Sequence, residues 1–450
     1  MPSTDRSLQE DSFEGYSGKA LELLRKSHAS VGCKVIVTAI DGMETTGLLI
    51  PRYQQADQDH IVIKLKSGYN IGLDVSSIVS VSILEPPLPI VKHSNSRVPS
   101  ETGKLVLLLS TGGTIASRVD YRTGSVRPAL SAEDLYAAVP ELNEISEIDP
   151  HVVFSTYSEN LKPEHWQTLA EYIADSLKEA ERRIDGIVVM LGTDTLAYVS
   201  AALSFALIGV HVPIVCVGSQ RSSDRPSSDS TLNLKAAVRF AANSNSGGVF
   251  VAMHRSENDE SIAIHRGTRV RKNHTSRRDA FKSIDAALYA EVRDDKIFVL
   301  EQYPDKVTFG GDKSLNLKTK FEKKVALLKF YPGFDQGLLA LLESIGIKGI
   351  VIEGTGLGHV SSETIKTLEV MAKRGIFVGM TSQCIWGRTD LNVYETGRDL
   401  IKAGVVPLDD MLGETAYAKL SWAFGNFPDE GIKKIMLSNV AQETTLRTTL

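Results

Sequence analysis

Apolar positions change their spacing twice along the chain. From Lys34 to Leu84 they alternate in short runs: KVIVTA from Lys34, GLLI from Gly47, HIVIKL from His60, NIGL from Asn70 and IVSVSIL from Ile78, with Gly and Asp turns between them. A period of two puts successive side chains on opposite faces of a strand, so these runs predict four or five short strands wound into a small SH3- or Sm-like barrel. Lys19 to Lys26, just ahead of them, reads as a short helix. From Glu85 the text becomes EPPLPIVKHSNSRVPSETG, where prolines, serines and charges replace the alternation and predict an extended linker. The expected boundaries are 1–86 for the extension with its barrel and 87–103 for the linker.

Beyond Lys104 the strands become apolar throughout: KLVLLLS, GIVVML, PIVCVG and GGVFVAM, separated by helical patterns such as PEHWQTLAEYIADSLKEA. Continuous apolar runs suit strands covered on both faces, and strand–helix alternation predicts an α/β domain with a parallel sheet over 104–310. The polar stretch Tyr303 to Lys324 precedes a second series, VALLKFY, KGIVIEGTG, SSETIKTLEVMAKRG and IFVGMTSQC, which predicts a smaller α/β domain over 324–445. Leu196 to Gly218 contains no Asp, Glu, Lys or Arg and approaches the roughly 20 residues that cross a bilayer. It breaks at Gly209–Pro213 into a small-residue helix and a short strand, which a soluble core explains without a membrane.

A chain of 450 residues exceeds one compact core. Fifty basic and 55 acidic residues leave a formal charge of -5, so no global field draws nucleic acid or an anionic membrane. Any RNA contact is expected to be local or made by a partner. Cys33, Cys216 and Cys384 are scattered and suggest neither a disulfide framework nor a zinc site. The start, MPSTDRSLQEDSFEGYSG, lacks the basic-then-apolar form of a signal peptide, so a cytoplasmic location is expected.

Three segments carry candidate chemistry. LLLSTGGTIAS from Leu107 runs a buried strand into a glycine turn that presents two threonines. A threonine hydroxyl is a weak nucleophile and needs a base and an oxyanion pocket, which glycine amides can supply. GIVVMLGTDTL from Gly186 repeats the design, and the carboxyl ends of parallel strands are where such turns converge. RGTRVRKNHTSRRDAF from Arg266 is basic, and its Lys272 becomes a base where neighbouring positive charge favours the neutral amine. Taken singly, these segments also fit a plain turn, a helix cap and a solvated face.

Taken together and in this order, TGGTIA (Thr111 to Ala116), GTDT (Gly192 to Thr195) and Lys272 of RKNHTS resemble the bacterial-type L-asparaginases over about Lys104 to Pro428. The resemblance implies that Thr114 is the nucleophile of an acyl-enzyme, with Tyr121 in a lid (SRVDYRTG) beside it. It implies that Thr193, Asp194 and Lys272 form a second catalytic group, and that Gly113 lies in the turn whose amides face the oxyanion. Ser158 and Glu159 in YSENLKPEHW, with Asp194, match the stretch that binds the substrate's α-amino and α-carboxylate groups. Some asparaginases complete the site with an acidic or amide residue from a neighbouring subunit; Glu353 and Glu395 are the candidates here, and a homodimer is expected.

EGTGLGH from Glu353, the barrel and RKNHTSRRDAF resemble one branch in particular, the asparaginase-like subunits of archaeal glutamyl-tRNA(Gln) amidotransferases. That branch implies ammonia release from glutamine or asparagine by this chain. It also implies a heterotetramer with a GatE-like kinase/transamidase subunit that uses ATP and Mg and makes most of the contact with tRNA(Gln). No GxxxxGK[ST] loop occurs and GTGLG has the wrong spacing for a dinucleotide, so no cofactor is expected on this chain. The alternative is a stand-alone L-asparaginase. His254, His265 and His274 lack a tight ligand spacing, so no metal is expected, and Trp166 and Trp386 are expected to be packing residues.

Overall fold

The computed structural model describes residues 13, 15–52, 56–66, 69–86, 103–112, 117–119, 126–128, 140–178, 183–221, 227–300 and 317–447. The linker expected at 87–103 falls outside them except for Gly103.

The alternating runs near the start form β1 (Lys34–Ala39), β2 (Glu44–Leu49), β3 (His60–Lys64), β4 (Asn70–Asp74) and β5 (Ile78–Glu85), after helix α1 (Gly18–Lys26). All pairings are antiparallel and the order is β4-β3-β2-β1-β5, so β5 returns across the sheet to pair with β1. Val35 and Val37, two apart on β1, pack with Leu49, Ile61, Ile63 and Val81 and with Ala20 and Leu24 of the helix.

The second unit is built on β6 (Leu105–Ser110), β9 (Glu147–Val152), β10 (Gly186–Met190), β11 (Pro213–Val217), β12 (Gly248–His254), β13 (Ser261–Arg266), β16 (Ala290–Arg293) and β17 (Lys296–Val299), with the short pairs β7 (Ser117–Val119)/β8 (Val126–Pro128) and β14 (Val270–Lys272)/β15 (Phe281–Ser283) beside it. The main sheet runs β17-β16-β13-β12-β11-β10-β6-β9. Strands β6 and β9 to β12 are parallel, as the pattern predicts; β13, β16 and β17 are antiparallel additions at one edge. The tight turn from His254 to Ser261 leaves no room for the crossover that a parallel neighbour needs.

Why the strands are apolar on both sides is visible residue by residue. Leu107, Leu109, Ile187 and Val189 face α2 (Pro163–Lys178) and α3 (Leu196–Ala206), whereas Val106, Leu108, Val188 and Met190 face α4 (Ser230–Asn243). The uncharged Leu196–Gly218 stretch is α3 and β11, with α3 buried nearly all round. Among the described residues, no helix is long and apolar enough to cross a membrane.

The third unit holds four parallel strands, β18 (Val325–Lys329), β19 (Gly349–Gly354), β20 (Phe377–Ser382) and β21 (Val406–Pro407). Its helices are α5 (Gly337–Ser344), α6 (Ser362–Lys373), α7 (Glu395–Lys402), α8 (Gly413–Asn426) and α9 (Ile432–Leu437). Helix α8 joins the two α/β units: Trp422 stacks on Phe205 of α3 with ring centroids 5.7 Å apart. Trp166 is core, packed edge-on against Phe321 and Tyr417. Trp386 is not; it lies in the turn after β20 and is 59% exposed, because the Ser-Gln-Cys-Ile-Trp-Gly segment leaves the sheet there.

Candidate active site

Two parallel neighbours, β6 and β10, deliver the threonine turns to the same end of the sheet; their last paired residues are Ser110 and Met190. Thr111 reinforces the junction, donating its backbone N–H and its hydroxyl to the Met190 carbonyl at 3.0 and 3.1 Å. Gly112 follows with φ +97, and a Cβ there would stand 2.5 Å from the Thr156 carbonyl oxygen, so only glycine permits the approach. Gly113, Thr114 and Tyr121 lie outside the described residues. The short strands β7 and β8, which precede and follow Tyr121 in sequence, pair antiparallel with Arg118 opposite Arg127.

After β10 the chain makes one 3-10 turn, Thr193–Thr195, before entering α3. A Cβ on Gly192 would sit 2.7 Å from the Ser158 Oγ, and Thr195 donates its hydroxyl to the Ser158 carbonyl at 2.9 Å. Ser158 is thereby buried against the GTDT turn, while Glu159 beside it is exposed. Thr195 is a contact that sequence reasoning missed, since a cap position and a bridge to another loop look alike in the text.

Lys272 reaches this turn from β14. Its Nζ donates to Thr193 Oγ1 at 2.8 Å and to Asp194 Oδ1 at 2.7 Å. The lysine side chain is 15% exposed and the aspartate 69%, so one face of the ion pair is enclosed and the other open. The charge beside the ammonium is thus a carboxylate, not the cation expected from the basic run. Arg271, the adjacent cation, pairs with Glu414 at 3.1 Å. Ser158, Thr193, Asp194 and Lys272 therefore form one cluster at the carboxyl ends of the strands.

Glu353, near the end of β19, lies in the field of Glu414 and Arg271. Burial raises its carboxyl above the usual range, and the Glu414 carboxylate adds to the shift. Burial first, then these two carboxylates, pushes the Tyr198 hydroxyl up to about 12. Glu395 is exposed at the start of α7. The histidines are dispersed: His254 bonds Asn233 at 2.6 Å, His265 bonds Ser283 at 2.8 Å, and His274 accepts the amides of Ser276 and Arg277. Among the described residues, no group of three or more His, Cys, Asp or Glu is placed to hold a metal.

Three family models match successive parts of the chain: the GatD N-terminal domain over residues 29–84, Asparaginase, N-terminal over 105–304, and the Glutaminase/Asparaginase C-terminal domain over 324–436. The GatD subunit of the glutamyl-tRNA(Gln) amidotransferase of Sulfolobus acidocaldarius is 46% identical over 96% of this chain and 95% of its own length. The chain belongs to the GatD family of glutamyl-tRNA(Gln) amidotransferase subunits. The GatD of Thermococcus kodakarensis is 45% identical, covering 95% of this chain and 97% of its own. Among solved structures, the thermostable L-asparaginase of Thermococcus kodakarensis matches with TM-score 0.67 and 34% identity over 76% of this chain and 99% of its own. The L-asparaginase I of Vibrio cholerae matches with TM-score 0.64 and 27% identity over 76% and 99%. A GatD chain thus carries the two asparaginase-type amidohydrolase domains behind its barrel.

Proposed function

We propose that this chain is the amidase subunit of a glutamyl-tRNA(Gln) amidotransferase, hydrolysing the side-chain amide of glutamine or asparagine. The ammonia converts Glu-tRNA(Gln) to Gln-tRNA(Gln) on an ATP- and Mg-using, GatE-like partner. The observation that carries the reading is the Lys272–Thr193–Asp194 cluster, standing at the strand ends of a chain similar to GatD over nearly its whole length.

In this reading Thr114 Oγ attacks the amide carbon, with Tyr121 as neighbour of its hydroxyl and the Gly113 turn amides facing the oxyanion. Thr193 accepts a hydrogen bond from Lys272, which leaves its own O–H free to face the substrate. The proton of the attacking hydroxyl passes through Thr193 to the leaving nitrogen as the C–N bond breaks, giving ammonia and a threonine ester. Water then adds to the ester carbonyl, its proton passes through Thr193 to Thr114 Oγ as that C–O bond breaks, and free glutamate or aspartate leaves. The half-open Asp194 carboxylate and exposed Glu159 suit an α-ammonium, and Ser158 an α-carboxylate.

No step uses a cofactor on this chain. The assembly is a homodimer docked on the partner in the cytoplasm, away from any membrane, and tRNA(Gln) is held mainly by the partner. Ammonia release from glutamine, measured with and without a kinase-type partner and glutamylated tRNA, tests this: stimulation supports it, and equal rates refute it.

A further inference from the structure

We propose that the N-terminal barrel braces the hairpin carrying Lys272, and that Arg278 is the positioning residue through which it does so; the inference rests on the amidase reading above. Lys272 ends β14 opposite Phe281 of β15, and residues 273–280 form the tip between them. Inside the tip, Asn273 donates to the Ala280 carbonyl at 2.7 Å and Arg277 pairs with Asp279 at 2.9 Å. Those bonds give the tip its shape, and Arg277 also reaches Glu257 of the β12–β13 turn at 3.2 Å. Arg278 anchors it outward.

Its guanidinium donates to Asp259 Oδ1 at 2.6 Å, to the Ser227 carbonyl at 2.9 Å and to the Tyr69 hydroxyl at 3.1 Å, and lies 5.1 Å from the Tyr69 ring centroid. Tyr69 donates its own O–H to Ser227 Oγ at 3.0 Å, and the Ser227 N–H donates to the Asn70 carbonyl at 2.7 Å. Tyr69 and Asn70 form the corner between β3 and β4 of the barrel, Ser227 precedes α4, and Asp259 sits in the β12–β13 turn. Three segments distant in sequence therefore meet on one side chain of the lysine's hairpin. Asp259 is itself backed by His254, buried at 3.3 Å from it. A planar fork with fixed donor directions meets such a set of acceptors; a lysine ammonium does not.

The test uses the full chain with Tyr69→Phe, Arg278→Lys and both together, reading kcat and KM for ammonia release from glutamine and amide hydrogen exchange across 270–283. Arg278→Lys is expected to lower kcat about tenfold and Tyr69→Phe about threefold, as loss of charge-assisted bonds implies. KM stays within about twofold, exchange quickens in the hairpin while β10 keeps its protection, and the thermal midpoint holds. The double variant is expected to fall short of the product of the two single losses, because both changes cut the Arg278–Tyr69 contact. Wild-type kcat and wild-type hairpin exchange in both single variants would overturn the brace, as would losses that multiply. A wild-type chain silent on both amides would instead sink the amidase reading; hairpin exchange then decides the brace alone, faster in the variants supporting it and unchanged refuting it.

Discussion

Replacing Lys272 by Met removes the ammonium and keeps the stem. Two short bonds go with it, to Thr193 at 2.8 Å and Asp194 at 2.7 Å. Because Asp194 is 69% exposed, water solvates its orphaned carboxylate, and the ion pair contributes about 1 kcal/mol or less to stability. For a domain of this size that is a shift of about 4 °C or less in the thermal midpoint. The chemistry is affected far more, since Thr193 loses the donor that orients its hydroxyl. Proton-transfer groups contribute about 100- to 10,000-fold, or roughly 2.7 to 5.4 kcal/mol of barrier. Steady-state ammonia release over a range of glutamine concentrations, with calorimetry on the same sample, separates the two effects. A fall in kcat below tenfold, or a loss of rate matched by a large drop in midpoint, would refute this account of the cluster.

Four further outcomes are expected. Thr114→Ala abolishes acyl-enzyme formation, seen by mass spectrometry after rapid quenching with glutamine; a trapped ester on the variant would displace Thr114 as nucleophile. Gly192→Ala pushes a methyl to 2.7 Å from Ser158 Oγ, so KM for glutamine should rise with a smaller change in kcat; an unchanged KM would detach Ser158 from binding. Burial, then Lys282, brings His265 down to about 3, so the unfolded chain binds the extra proton and stability falls as pH drops from about 6.5 towards 3, by up to about 5 kcal/mol; urea melts of His265→Gln should be flatter across that window than wild type. Lys419 and Glu443 form a fully buried pair at 2.5 Å, so Lys419→Met is expected to cost about 3 to 5 kcal/mol and Lys419→Met with Glu443→Gln distinctly less, read by denaturant unfolding.

Strands and helices were legible because burial imposes its period on the text. Val35 and Val37 alternate inward, and Leu107 and Leu108 face opposite helices across one sheet. Pairing direction was not legible, since a buried antiparallel strand such as SIAIHR reads like a parallel one. The GTDT turn and Lys272 stand out only as a set, through the ordered resemblance of TGGTIA, GTDT and RKNHTS to the L-asparaginases; singly they fit a helix cap and a solvated face. What they touch was hidden: Arg271 turns to Glu414, and Arg278 meets Tyr69 across 209 positions, distances no local pattern encodes. The buried Lys419–Glu443 pair was invisible for the same reason, as each charge alone reads as surface.

The central claim is that this amidase works for a partner. Ammonia release from glutamine by the purified full chain, alone and then with a kinase-type partner and glutamylated tRNA, tests it most directly. The account predicts slow release alone and a marked rise in the complex. Brisk release without any partner, greatest from asparagine and unchanged after removal of residues before Lys104, would contradict it and make the chain a free-standing asparaginase.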